Sequence, residues 1–594
     1  MSKAVTHMYV LCLTLFASFY AACQVSPGID IARNVAMKTR DGVTLYADVY
    51  RPDGAGNFPV LLERTPYNKE YPDDEDFARM AVARGFMVII QDVRGRYTSE
   101  GEWYPFKHEM DDGYDTVEWA AALPHSNGKI GMFGSSYVGA TQMLAAISQP
   151  PHLAGICPVV TASNYHENWT YQGGAFEQWF NESWTSGLAQ DTAGRVIRQN
   201  TNALENRNVL PLSGYPLFNV ETLANPGGLT SSLAPYFLDW LDHPEYDGYW
   251  KQWAIDANYG KIQVPALTVA AWYDIFQGGS LHNYLGLRAH AGNEAARAGQ
   301  RLLIVIGGHA GEGEKIGTVD FGPAAAEYSE NAVTLDWYDF LLRGRQNQFA
   351  TSKPVRIFVM GENQWRDEDA WPLARAVQTS YYLHSSGKAN SSAGNGSIST
   401  ERPQDEAPDS FTYDPADPVP TVGGPLCCDA VHLPPGPRDQ KAVESRPDVL
   451  VYSTPPFADA MEVTGPVTLD LYAKSSAVDT DFTAKLVDVW PNGYVQNLTE
   501  GILRARYRSS TSSATPLVPG RIYEFKIDLW STSNVFLKGH RLRVEVSSSN
   551  FPRFDRNLNT GKSAAVSSEV IKATNTIFHD KQHPSALVLP VVRR

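Results

Sequence analysis

Lys129–Gly139 reads KIGMFGSSYVG, and the fold turns on it. Ile130–Phe133 is a short apolar run with the character of a buried strand. Gly134-Ser135-Ser136-Tyr137-Val138-Gly139 follows, and then Ala140–Ser148 (ATQMLAAIS), rich in helix formers and free of glycine. Strand, tight glycine-flanked turn and helix together form the context of a nucleophile elbow. Such a turn holds its central residue in a strained backbone conformation, and the flanking glycines let strand and helix approach closely. The apex falls on Ser136. The usual spacing is G-x-S-x-G; here the second glycine comes one position later, at Gly139, which gives the narrower pattern G-x-S-Y-x-G.

Outward from the elbow, the apolar stretches Phe58–Glu63 (FPVLLE), Phe86–Asp92 (FMVIIQD), Leu153–Val160 (LAGICPVV), Pro265–Ala271 (PALTVAA) and Arg301–Ile306 (RLLIVI) read as buried strands. Helical patterns at Asp76–Arg84, Asp112–Leu123 and about Ala325–Leu342 lie between or after them. Alternation of this kind predicts a mostly parallel sheet covered on both faces. Asn34–Pro52, with Asp41-Gly42 as its turn, predicts a leading hairpin. From Asn164 to about Ala254 the chain is crowded with Trp, Tyr, Asn and Gly and reads as an inserted, mainly helical cap. From about Lys353 strict alternation sets in. Tyr523, Phe525, Ile527 and Leu529 interleave with Glu524, Lys526 and Asp528, the signature of half-buried strands in a sandwich. Domains are expected at 24–160 and 256–350 (α/β-hydrolase), 161–255 (cap) and 351–594 (all-β).

A serine hydroxyl needs a base to take its proton, and the base needs a third group to fix its tautomer. In this fold the order along the chain is Ser, acid, His, each at the carboxyl end of a strand. Asp274 follows PALTVAA in AWYD, and His309 follows RLLIVI in GGH. His125 precedes Ser136, His282 and His290 fall in a helix after Asp274, and His166 and His243 belong to the cap. Asp111, Asp112 and Asp115 are read as helix-start carboxylates. One oxyanion donor is the backbone N–H of Tyr137, the residue after the nucleophile. The second is expected from the loop after an early strand, Arg64–Lys69 (RTPYNK).

Composition bounds the rest. The chain has 594 residues, 43% hydrophobic and 19% charged, with a formal net charge of −15. That length calls for two or three domains, and the acidity argues against nucleic acid as a partner. Lys3 and His7 precede an uncharged run, Met8–Ala22, laid out like a secretory signal. Cleavage before Gln24, or lipidation of Cys23 as a membrane anchor, are the two readings; either predicts an exported protein. The remaining Cys157, Cys427 and Cys428 do not make a disulfide framework. Asp479 and Asp481 read as strand-end hydrogen bonders, with no metal, and the mechanism needs no cofactor. Nothing in the sequence selects between a monomer and a homo-oligomer.

Seven stretches resemble one known family almost throughout the chain: RTPY at Arg64–Tyr67, QDVRGRYTSEGEW at Gln91–Trp103, GSSYVG at Gly134–Gly139, AWYD at Ala271–Asp274, GGH at Gly307–His309, DPADPVPTVGG at Asp414–Gly424 and DTDFTAKLVDVWPNG at Asp479–Gly493. It comprises the serine hydrolases that include cocaine esterase, glutaryl cephalosporin acylase, α-amino acid ester hydrolase and X-Pro dipeptidyl-peptidase. The resemblance implies an α/β-hydrolase domain, a helical cap and a C-terminal jelly-roll sandwich. It implies that the Tyr67 hydroxyl is the second oxyanion donor, and that Arg94, Arg96 and Glu100 hold a loop near the site. Trp103, Trp169, Trp179, Trp272 and Phe276 are candidates to line an acyl pocket, or they are core. In the α-amino acid ester hydrolases, two carboxylates that bind the substrate ammonium follow the catalytic Asp at the positions that are Phe276 and Gln277 here. That exchange predicts a preference for neutral acyl groups; Glu167 and Glu177 in the cap are candidates for partial compensation, though nothing in the sequence places them at the site. The expected activity is cleavage of a small acyl ester or amide. The rivals are X-Pro dipeptidyl-peptidase activity, β-lactam acylase activity, and a carbohydrate- or surface-binding protein with an inactive hydrolase domain.

Overall fold

The computed structural model describes residues 28–199, 233–309, 312–565 and 567–593. The expected export segment with Cys23 lies outside them. Ten strands form the first sheet: β1 (Ile29–Lys38), β2 (Thr44–Pro52), β3 (Phe58–Thr65), β4 (Met87–Asp92), β5 (Ser126–Ser135), β6 (Leu153–Val159), β7 (Leu267–Tyr273), β8 (Arg301–Gly308), β9 (Val355–Val359) and β10 (Gln364–Glu368). Their spatial order is β1-β2-β4-β3-β5-β6-β7-β8-β9-β10. Pairing is parallel from β4 through β9 and antiparallel at both ends. The leading hairpin is therefore the sheet's antiparallel edge.

Helices cover both faces, because the central strands are apolar on both sides. On one face pack α2 (Glu109–Ala122) and α3 (Tyr137–Ile147), around Met132, Val117 and Leu144. On the other pack α1 (Pro72–Ala83) and α7 (Glu330–Arg343), around Phe77, Leu335 and Tyr338. The helix starts differ from the sequence expectation by a few residues, as frayed ends allow. The inserted region contributes α4 (Gln178–Gln199) and α5 (Pro235–Asp242). The helix after β7 is α6 (Gln277–His290).

One boundary differs from the expected 351–594. Strands β9 and β10 pair with β8 and with each other, so they belong to the first sheet. The separate set of eleven strands begins at Ala376–His384 and runs to Ala586–Val592. Alternation marks a strand but does not name its neighbour. The first sheet's last strands and the all-β domain share one core, in which Trp272, Ile357 and Phe358 pack with Leu469, Phe525 and Ile527.

Adjacent Cys427 and Cys428 are cross-linked to each other, a closure that ties no distant segments together, and Cys157 is a buried thiol. Asp479 and Asp481, read as strand-end hydrogen bonders, meet Arg506 and Arg504 and also accept from Asn557 Nδ2.

Candidate active site

Ser136 sits between β5 and α3 with φ 61° and ψ −125°. This is a region that costs a non-glycine residue about 1–3 kcal/mol and persists only where packing imposes it. The packing is visible on both sides. A Cβ on Gly134 would overlap Val138, and one on Gly139 would meet Thr161 at 2.8 Å. The late glycine therefore has a physical role: it admits the first turn of α3 against the segment after β6. The Ser136 amide donates to Val159 O at 2.9 Å, pinning the apex to the neighbouring strand. All eleven residues of α3 are buried.

Asp274 and His309 stand just beyond the carboxyl ends of β7 and β8. His309 Nε2 is 2.9 Å from Ser136 Oγ, and His309 Nδ1 is 2.6 Å from Asp274 Oδ2. The other carboxylate oxygen, Asp274 Oδ1, accepts the Phe276 amide at 2.6 Å. Ser136 keeps 8% of its surface exposed while Asp274 has none. A serine reachable from outside is thus backed by a base and a fully shielded acid.

Tyr67 follows β3, and its hydroxyl interacts with Ser136 and with the Tyr137 amide. Burial raises its pKa, while Trp184, Ser136 and the Tyr137 amide act in the opposite direction. The hydroxyl thus remains a neutral donor. Trp184 of α4 donates its indole N–H to Tyr67 Oη at 3.0 Å. Arg96 holds the same loop: Nε donates to Pro66 O and Nη1 to Leu188 O of α4, both at 2.9 Å. Arg94 forks between Asp112 and Asp41, and Glu100 accepts the Thr44 amide at 3.1 Å. Behind the elbow, Tyr137 Oη donates to Glu109, which also accepts from Arg64 Nη1 at 2.6 Å. The Tyr137 ring is thereby locked, and its backbone N–H stays at the apex.

The structure separates the five aromatic candidates. Phe276 stands edge-on to the His309 ring at 5.1 Å, and Trp169 stacks on Phe276 at 4.4 Å. Trp184, not singled out in the sequence, meets Trp169 at 5.6 Å. Trp103 lies deeper, against Tyr137 and under Arg96. Trp179 starts α4 at the seam with the all-β domain, where its amide donates to Pro552 O. Trp272 does not line the site. It donates to Phe358 O at 2.7 Å and packs on Trp371 in the interdomain core. No local pattern distinguishes Trp184 within its helix; its role appears only once α4 is laid over the Tyr67 loop.

At the positions expected to decide an ammonium site, Phe276 packs between His309 and Trp169. Gln277 is buried and donates to Ser531 O and accepts from Ser531 N, both at 2.9 Å. Glu167 accepts the Gly173 amide at 2.7 Å, and Glu177 faces Arg553 at 3.4 Å. Burial lifts both carboxyls to about 7.

A seven-stranded parallel run with a nucleophile elbow, and a Ser, His, Asp chain at strand ends, defines a serine hydrolase of the α/β type. The sequence profile of X-Pro dipeptidyl-peptidase (S15 family) matches residues 41–311, and that of the X-Pro dipeptidyl-peptidase C-terminal non-catalytic domain matches 347–588. Cocaine esterase of Rhodococcus sp. (strain MB1 Bresler) is 39% identical over 96% of this chain and 100% of its own length. The chain belongs to the S15 family of serine hydrolases, which confirms the expected resemblance and fold. Among solved structures, an aminopeptidase from a marine sediment Thaumarchaeota archaeon superposes with a TM-score of 0.79 at 25% identity, covering 100% of this chain and 99% of that one. An α-amino acid ester hydrolase superposes with a TM-score of 0.78 at 26% identity, covering 97% and 99%.

Proposed function

We propose that the chain is an exported esterase that hydrolyses small neutral acyl esters through an acyl-enzyme on Ser136. The observation that carries this reading is the continuous chain Ser136 Oγ, His309 Nε2, His309 Nδ1, Asp274 Oδ2. Ser136 Oγ attacks the ester carbonyl carbon while His309 Nε2 takes its proton. Asp274 holds the Nδ1–H tautomer and stabilises the imidazolium. The negative oxygen of the tetrahedral intermediate is received by the Tyr137 N–H and the Tyr67 O–H. His309 then returns the proton to the departing alkoxide, and water repeats the sequence to release the acid. Phe276, Trp169 and Trp184 supply an apolar wall for the acyl group.

Neutrality of the acyl group follows from the same wall. An α-ammonium beside Phe276 would have no countercharge, and an unpaired buried charge is costly. Gln277 is committed to Ser531, Glu177 faces Arg553, and Glu167 accepts the Gly173 amide. The uncharged Met8–Ala22 run supports export.

The test pairs matched phenylacetyl and phenylglycyl esters on the wild type and on Ser136→Ala. The phenylacetyl ester is expected to have the higher kcat/KM. Ser136→Ala is expected to lose turnover together with labelling by a fluorophosphonate. A tenfold advantage for the phenylglycyl ester, or label mapped to Ser135, would overturn the reading.

A further inference from the structure

A cavity of about 770 Å3 opens beside the elbow on the face of β3 away from Arg64. It lies between the starts of α1 and α7, and Tyr67, Gly134 and Ser135 form its inner wall. Successive strand residues point to opposite faces. Arg64 turns to Glu109, and Glu63 turns into this cavity. Carboxylates dominate the lining: Glu63 from β3, Asp73, Asp74 and Asp76 from α1, Glu330 from α7, and Glu312. Among the described residues, no Lys, Arg or His lines it.

Most of these acids have a local explanation. Asp73, Asp74 and Glu330 occupy first turns of helices, where the backbone dipole favours negative charge. Glu312 accepts the Glu330 amide at 3.0 Å. Glu63 has none of these supports. It is 5% exposed, and its carboxyl makes no hydrogen bond or ion pair among the described residues. Its surroundings are repulsive: burial, Asp74 and Glu330 all push its carboxyl well above the usual range, and Asp74 and Glu330 are themselves lifted to about 7. A buried carboxyl without a partner stays protonated, and a cation entering the cavity would draw it back to the charged form.

The rest of the wall says what kind of cation fits. Among the described residues, no group of three or more His, Cys, Asp or Glu is disposed to hold a metal ion. Phe77 and Phe133, with centroids 4.2 Å apart, stand beside Tyr71 in the lining. Aromatic faces with carboxylates, in a volume of several hundred Å3, suit an organic cation.

We propose that this cavity binds an organic ammonium ion, anchored on Glu63, against the outer side of the Tyr67 loop. The ligand class is a primary or secondary amine with an apolar or aromatic body. The site is distinct from the reacting atoms, so it is present whether or not Ser136 can turn over.

Isothermal titration of the full chain with benzylammonium chloride tests this at pH 8. Wild type and Ser136→Ala are expected to bind with the same affinity. Glu63→Gln and Glu330→Gln are each expected to bind at least tenfold more weakly, while circular dichroism shows them folded. Binding should weaken from pH 8 to pH 5, because protonation of the lining carboxylates removes the countercharge. The proposal is overturned if benzyl alcohol binds as tightly as benzylammonium, if both Gln variants keep wild-type affinity, or if no heat is seen at millimolar benzylammonium. Binding of calcium chloride in place of the amine would overturn it in favour of a metal site.

Discussion

Asp274 and Glu63 are both carboxylates at the carboxyl end of strands in one sheet, and both are buried. Asp274 has a partner for each oxygen, His309 on one and the Phe276 amide on the other. Among the described residues the Glu63 carboxyl has no partner, and the charges that act on it, Asp74 and Glu330, are acids. Burial alone therefore does not give a carboxylate its role. A paired acid holds a fixed geometry and can orient another group. An unpaired one is a vacancy for charge, and the fold tolerates it at some cost in stability.

Three measurements sharpen that contrast. Asp274→Asn keeps the shape and removes the charge, and it presents the wrong hydrogen-bonding group to His309. It should lower kcat by ~10⁴-fold in ester hydrolysis while the protein stays folded; a loss below tenfold would place the orienting acid elsewhere. Tyr67→Phe removes one hydroxyl at the wall shared by the triad and the acidic cavity. A loss of ~100- to 1000-fold in kcat is expected for one oxyanion donor. Activity within a few-fold of wild type would make Tyr67 a packing residue.

The smallest effect belongs to Glu63→Gln. The folded-state pKa of Glu63 is raised, so the folded protein holds more protons than the unfolded chain over the interval above the ordinary carboxyl range. Stability is then lost as pH rises through that interval. The Gln variant lacks this loss and should be more stable than wild type by about 1–3 kcal/mol at pH 8, with the two converging near pH 4. Denaturant midpoints at the two pH values decide it. Equal stability at pH 8 would show that the Glu63 carboxylate is already compensated.

The elbow was legible because every level agreed: an apolar strand, a glycine pair flanking Ser136, and a run of helix formers from Ala140 on. Asp274 and His309 were legible because each follows a strand, in the order this fold requires. What the sequence could not supply was anything decided across the fold. Trp272 stands one residue from the AWYD turn, yet its indole serves Phe358. Gln277 was read for a missing charge, but its amide reaches a residue 254 positions away. Trp184 carries no local mark of its bond to Tyr67. The strands Val355–Val359 and Gln364–Glu368 look like the rest of the β region and differ only in which neighbour they pair with. Glu63, inside FPVLLE, reads as the end of a strand; its isolation is visible only when α1 and α7 are placed.

The contacts that join the hydrolase sheet to what lies beyond it near Asp274 share an asymmetry. Gln277 bonds the backbone N–H and C=O of Ser531, and Tyr273 Oη donates to the backbone carbonyl of Asn497. In each, the hydrolase domain offers a side chain and the all-β domain its main chain, with one side chain added from the far side, Gln496 Nε2, which donates to Tyr273 Oη at 3.1 Å. The all-β domain is thus free to change its residues at 497 and 531, proline at 531 excepted, without losing these main-chain bonds beside Asp274. An exchange of that domain between relatives would keep these bonds, but it would also have to keep Arg553, whose guanidinium meets Gln172 and Glu177 of the inserted region. Beside Asp274, the burden of recognition rests on Tyr273 and Gln277.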